Sequence, residues 1–111
     1  MKEGDVILAS LSQADGNRKT RPVICLREMP SFDDMLVCGI STKLRHEISG
    51  FDELISQVAH DFQLTGLRET SLIRLSFLGI LSTKDLAGSL GSISPERHRR
   101  LLERLSEYLV V

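Results

Sequence analysis

Short runs rich in Val, Ile and Leu recur along the chain, at Val6 to Ala9, Pro22 to Leu26, Met35 to Ile40 and Leu72 to Leu81, each bounded by Gly, Asp, Asn, Pro or Ser. Runs of this length between turn residues read as strands. The links between the first three have hairpin character. Ser12 to Arg21 holds an Asp15-Gly16 turn signal and a cluster of Arg18, Lys19 and Arg21, and is expected to be a mobile loop. Met29 to Asp34 joins Pro30, which cannot donate to a ladder, to the turn-favouring Asp33 and Asp34. Neither link suits a helical crossover between parallel strands, so the pattern disfavours a doubly wound α/β fold and predicts antiparallel pairing.

Helical periodicity is clear only at the end of the chain. Ser94-Pro95-Glu96 supplies a side-chain cap, a proline at the first helical position and an acid near the positive end. Beyond it Leu101, Leu102, Leu105, Tyr108 and Leu109 fall on one helical face, opposite Arg97, Arg100, Glu103, Arg104 and Glu107. That second face reads as solvated and laced with ion pairs, Arg99 and Glu103 among them. A further small-residue strand is expected over Gly88 to Ile93, an edge strand over Phe51 to Ile55, and a helical turn at Val58 to Phe62. The expected fold is mainly β with a C-terminal helix: a small antiparallel β-barrel.

With 111 residues, the chain has the size of one domain, residues 1–111, since two separate cores would each be marginal. Fourteen Lys and Arg against 15 Asp and Glu give a net charge of −1, so any surface for nucleic acid must be local. No apolar run approaches the roughly 20 residues of a membrane helix and no signal peptide is recognisable, which predicts a cytoplasmic protein without membrane contact. Cys25 and Cys38 each sit inside an apolar run and read as buried thiols, and no zinc-ligand spacing is present. No metal or cofactor is expected.

Several polar residues stand where strands begin or end. Arg21 precedes Pro22, which biases it to extended geometry and leaves the guanidinium free to hold a phosphate, with Arg18 and Lys19 adding attraction for a polyanion. Ser41, Thr42 and Lys43 offer two hydroxyls and an ammonium at the end of the third strand. In the fourth, alternation places Ile73, Leu75 and Phe77 on one face and Arg74 and Ser76 on the other, with Gly79 marking a bulge or bend. Arg74, a charge within an apolar strand, must find solvent, a partner or a cleft. His46, His60 and His98 read as solvated, and His46 is notable for following Thr42 closely. Solvated rims and ordinary turn chemistry account for each residue singly. Taken by themselves the residues indicate an anion-binding groove and nothing finer.

In order along the chain, Gly4-Asp5-Val6, Gly16 with Arg21-Pro22-Val23, Ile40-Ser41-Thr42-Lys43, Gly66-Leu67 with Ser71-Leu72-Ile73, and Ile93-Ser94-Pro95-Glu96 resemble the MazF/PemK toxin family. The resemblance spans nearly the whole chain. It implies an SH3-like barrel, a homodimer, metal-independent cleavage of single-stranded RNA and neutralisation by a cognate antitoxin protein. It also implies catalytic roles for Arg21 and Thr42, facing the scissile phosphate, with Arg18, Lys19, Ser41, Lys43, Arg74 and Ser76 along the substrate groove. The implied reaction is attack of a ribose 2′-hydroxyl on the adjacent phosphorus, leaving 2′,3′-cyclic phosphate and 5′-hydroxyl ends. One departure stands out. Where many family members carry an acid, a glutamine and an arginine, this chain reads Ser76-Phe77-Leu78-Gly79. A toxin of the same fold that binds a protein target, such as a topoisomerase, without cutting RNA is the alternative.

Overall fold

The computed structural model describes residues 1–12, 14–30 and 32–111. Gln13 and Ser31, one in each expected hairpin turn, lie outside the described residues. Six strands, β1 (Asp5–Ser12), β2 (Arg18–Met29), β3 (Asp34–Ser41), β4 (Glu53–Ile55), β5 (Ser71–Leu81) and β6 (Leu86–Ser92), pair in the order β4-β5-β3-β2-β1-β6. Every pairing is antiparallel. Helix α1 (Phe62–Thr65) is a single turn and helix α2 (Pro95–Val110) ends the chain. The strands, the hairpins and the terminal helix are those expected from the sequence. The basic triplet is not: Arg18 to Arg21 belong to β2, paired with Ser12 to Ala9 of β1, because Arg18 is tied along its neighbour rather than left in a loop. The short α1 begins at Phe62, where the turn expected at Val58 to Phe62 ends.

Side chains alternate across the sheet, so its two faces carry separate cores. Val6, Ile24, Cys38, Ile40, Ile73 and Leu75 bury against Leu101 and Leu105 of α2, while Ile7, Ala9, Val23, Cys25, Val37 and Leu81 form a second cluster. Register shifts in the β1–β6, β2–β3 and β3–β5 pairs bend the sheet. Its edges β4 and β6 do not pair with each other, so the barrel-like sheet is open rather than closed. Each edge is covered instead. Gly66, left-handed at φ 74°, ends α1 and lies against the Leu90 carbonyl, and Gly91 of β6 lies against the Leu64 carbonyl. No side chain fits at either contact, so α1 sits directly on β6.

Helix α2 covers the other edge through charge. Ser94 caps it, its hydroxyl accepting from the Arg97 N–H at 3.1 Å. The Arg97 guanidinium then donates to both oxygens of Asp61, at 2.9 and 3.1 Å, and to Glu53 of β4 at 2.6 Å. Asp61 is 0% exposed and Arg97 6%. Arg100 and Arg104 also donate to Glu53. Arg97 is therefore buried and not on a solvated face: a 3.6-residue period separates apolar from polar positions but cannot tell a solvated arginine from one facing buried carboxylates. The solvated reading holds for Arg99, which pairs with Glu103 on the surface. His98 departs from it too. Leu26 is the bulged residue of β2, without a ladder partner on β3, and the His98 imidazole Nε2 donates to its carbonyl at 2.7 Å. Among the described residues no helix is long and apolar enough to cross a membrane.

Burial alone would raise the Asp61 pKa, but the Arg97 hydrogen bonds, the Ser94 N–H and the Arg97 charge lower it to about 2. Replacing Arg97 with Met leaves Asp61 as an uncompensated buried charge, with an expected loss of about 3–5 kcal/mol in urea unfolding at neutral pH. Because the folded pKa is depressed, the Asp61 contribution is complete above its ordinary value of 3.8 and is lost as pH falls through about 2. In Arg97→Met burial is left to raise the Asp61 pKa, so the stability gap between wild type and variant should narrow as pH falls from neutral towards 2, and a gap that widens would contradict the ion-pair assignment.

Candidate functional site

A cleft opens where β2 loses its partner. Pairing with β1 runs from Ile24 back to Arg18, but pairing with β3 begins only at Val23 opposite Gly39. Pro22, with no N–H to donate, occupies the residue at which the β3 ladder stops. Beyond Gly39, β3 continues along β5, with Gly39 opposite Arg74 and Ser41 opposite Leu72. The two strands thus diverge around a cavity of about 320 Å³. Arg21, Pro22 and Val23 form one wall, and Gly39 to Ser41 and Arg74 the other.

The end of β3 completes the rim. Ser41 Oγ accepts from the Lys43 N–H at 3.0 Å, and the Lys43 carbonyl accepts from the His46 N–H at 3.1 Å. This tight turn carries Lys43 and His46 back to the cleft. Among the described residues no aspartate or glutamate lines it. Arg18, Arg27, Arg97, Arg99, Arg100 and Arg104 are engaged by carboxylates, whereas among the described residues Arg21, Arg45, Arg68 and Arg74 make no such pair, and of these four Arg21 and Arg74 line the cleft. The Arg74 Nε is buried without a hydrogen-bond partner. An unpaired donor of this kind, beside two further cations, suits an anion from outside the chain.

Of the residues singled out in the sequence, Arg21, Ser41, Lys43, Arg74 and His46 come together here. Thr42 is exposed between two lining residues but is not part of the wall. Lys19 is exposed opposite Leu11 and outside the lining. Arg18 is held along β1 by Ser10 and Ser12 and reaches Asp85 at 3.3 Å. Ser76 parts company with Arg74. The β3–β5 register jumps between Cys38 opposite Leu78 and Gly39 opposite Arg74, so Leu75, Ser76 and Phe77 form a bulge, and it lies before Gly79. Strict alternation ends there. Phe77 comes to the cleft beside Arg74, while Ser76 lines a separate groove with Phe51, Leu78 and Tyr108.

Buried Asp52 holds the bulge, accepting from the Ser76 N–H at 3.1 Å, the Ser76 hydroxyl at 3.2 Å and the Ile48 N–H at 3.0 Å. Neither Asp52 nor Phe77 was legible as a site residue, since a bulge is defined by the partner strand. The cysteines take no part: burial pushes the Cys25 thiol up to about 11 and Cys38 up to about 12, the Asp5 charge adding to the first. Among the described residues no group of three or more His, Cys, Asp or Glu is arranged to hold a metal ion.

Residues 2–109 match the family model for the PemK-like, MazF-like toxin of type II toxin-antitoxin systems. The chain belongs to this family. Its fold is shared with the Mycobacterium tuberculosis toxin MazF-mt6, at a TM-score of 0.69 and 21% identity over 96% of this chain and 97% of that one. It is likewise shared with an endoribonuclease in complex with its cognate antitoxin from a mycobacterial species, at a TM-score of 0.69 and 15% identity over 100% and 96% of the two chains. No curated protein sequence matches the chain. The MazF-like architecture is thus a six-stranded antiparallel sheet with a C-terminal helix.

Asp52 should matter to the cleft without touching it. Asp52→Ala leaves the Ser76 and Ile48 N–H groups short of an acceptor, with an expected stability loss of about 1–3 kcal/mol. Backbone amide shifts of Arg74 and Phe77 should move in the variant; unchanged shifts would mean that the bulge holds itself.

Proposed function

We propose that the cleft binds single-stranded RNA and cleaves it by intramolecular transesterification. The observation that carries this reading is a cavity lined by Arg21, Lys43 and Arg74 with no carboxylate, in a member of a toxin family. In the reaction the 2′-oxygen forms a bond to phosphorus, the bond from phosphorus to the 5′-oxygen breaks, and the 2′-proton is lost as the leaving oxygen gains one. The phosphorane carries more negative charge than the starting diester, and fixed cations stabilise that difference. Arg21 provides two parallel donors to non-bridging oxygens, and the unpaired Arg74 adds a second guanidinium. Thr42, exposed at the rim, donates to a phosphate oxygen, and Ser41 and Lys43 position the strand. Arg18 and Lys19 attract the backbone farther out. Ser76, fastened to Asp52, serves the groove through the bulge rather than by contact.

An arginine is a poor general base. His46, on the cleft wall beside Lys43, is the side chain here suited to moving the 2′-proton. Alignment of the attacking hydroxyl supplies much of the remaining rate. A cognate antitoxin is the regulating partner, a segment of it lying across the cleft and excluding RNA. Family membership supports that partner, as does the fold shared with an endoribonuclease that is itself bound to its antitoxin. The protein acts in the cytoplasm as a homodimer. Leu78 of β5 and Tyr108 and Leu109 of α2 form one exposed apolar groove that a second copy covers, with Val110 and Val111 beside it. Light scattering at micromolar concentration should give twice the chain mass, and a monomer would refute the dimer.

Incubated with mixed-sequence single-stranded RNA in chelator, the protein should generate 2′,3′-cyclic phosphate and 5′-hydroxyl ends at a recurring sequence. Arg21→Ala should fold normally and lower the cleavage rate by about 100- to 1,000-fold. Intact RNA with folded wild-type protein would refute the nuclease and favour a toxin acting on a protein target.

A further inference from the structure

We propose that Phe77 is the platform on which the cleft stacks a nucleobase, so that base recognition here runs through an aromatic face. The inference rests on the RNA reading of the same cleft. Its structural basis is separate from the cations. Phe77 is 51% exposed although it lies in the middle of β5, flanked by strand on both sides. Left to alternation it would share the face of Ile73 and Leu75, both fully buried in the core. The bulge turns it out of that face, and Asp52 fixes the bulge by accepting two hydrogen bonds from Ser76.

The ring is then held from two directions. A Cβ at Gly39 would lie 3.1 Å from Phe77 Cδ1, so the glycine makes room for the phenyl edge on the cleft floor. The Arg74 guanidinium carbon stands 5.8 Å from the ring centroid, at the outer limit of about 6 Å for a cation–π contact. The guanidinium lies over the ring, and the residue is nonetheless 51% exposed. Half of a large apolar residue therefore remains open to water inside a cleft whose neighbouring groups are cationic. The arrangement is that of a single-strand site, where cations hold the backbone and an aromatic face receives a base. The phenyl group offers no hydrogen-bond donor or acceptor, so it ranks bases by stacking area, purine above pyrimidine.

The test compares two ligands that share a sugar phosphate and differ in the base, adenosine 5′-monophosphate and ribose 5-phosphate, titrated by NMR into the full-length protein. Wild type should bind the nucleotide about 5- to 100-fold more tightly than the sugar phosphate. The adenine protons should shift upfield from the ring current of Phe77. Phe77→Leu, a substitution at an exposed position that keeps an apolar side chain, should abolish both the upfield shift and the preference while binding ribose 5-phosphate as wild type does. Arg21→Ala should weaken both ligands alike. Equal affinity for the two ligands in wild type, or a preference that survives Phe77→Leu, overturns the platform and leaves the cationic cleft standing. Failure of both ligands to bind overturns the cleft as an anion site and the platform with it.

Discussion

The buried contact of Arg97 with Asp61 and Glu53 is the constraint from which the rest of the architecture follows. An open sheet with apolar residues on both faces needs its ends covered, and the helix that covers this one has only Leu101 and Leu105 fully committed to the core. Arg97 ties the first turn of α2 to the segment before α1 through Asp61 and to the edge strand β4 through Glu53. Burial raises the pKa of Glu53, yet three arginines on one helix hold it below the ordinary carboxylate range. One guanidinium thus closes what hydrogen-bonded strand pairing leaves open. The geometry is bidentate on Asp61, and Ser94 completes that carboxylate's partners while capping the helix. Such a cluster fixes which way α2 lies across the sheet, a specificity that leucine packing alone does not impose.

The cleft depends on a second kind of constraint, the places where ladders stop. Pro22 ends pairing between β2 and β3, and the jump opposite Cys38 and Gly39 interrupts pairing between β3 and β5. Both interruptions fall at the same end of β3. One opens the gap and the other supplies its contents, since the bulge sends Ser76 to Asp52 and Phe77 to Arg74. Rigid strands on three sides hold Arg21, Ser41 and Arg74 in place, whereas Lys43 and His46 come from a tight turn.

Much of the scaffold was legible in the residue pattern because it depends on neighbours in sequence. Asp15-Gly16, Pro30 with Asp33, and Ser94-Pro95 each act through local backbone preferences, and the hairpins and α2 form where they predict. Arg21 before Pro22 is legible for the same reason. What escaped depends on partners distant in the chain. The fate of Arg97 is decided by Asp61 and Glu53, that of His98 by the unpaired carbonyl of Leu26, and that of Ser76 by Asp52. In β5 alternation predicted Arg74 and Ser76 on one face, and it failed because register is a property of two strands. The pairing of Arg74 with Phe77 is therefore visible only once β3 is in place.

The departure at Ser76 to Gly79 acquires a physical meaning from this geometry. Of the stretch Ser76 to Gly79, Phe77 lines the cleft, and a phenyl ring offers no hydrogen bond to a base edge. In this chain the Arg74 Nε is left without a partner and the neighbouring position is an open phenyl ring. In the proposed RNA site the unpaired guanidinium serves a phosphate and the ring serves the face of a base. Stacking energies differ among bases by less than hydrogen-bond mismatches do, because every base has a π-face whereas an unpaired donor or acceptor carries a desolvation penalty. A groove that binds RNA on the proposed terms would gain its affinity from charge and stacking together and would discriminate among sequences less sharply than one that reads base edges.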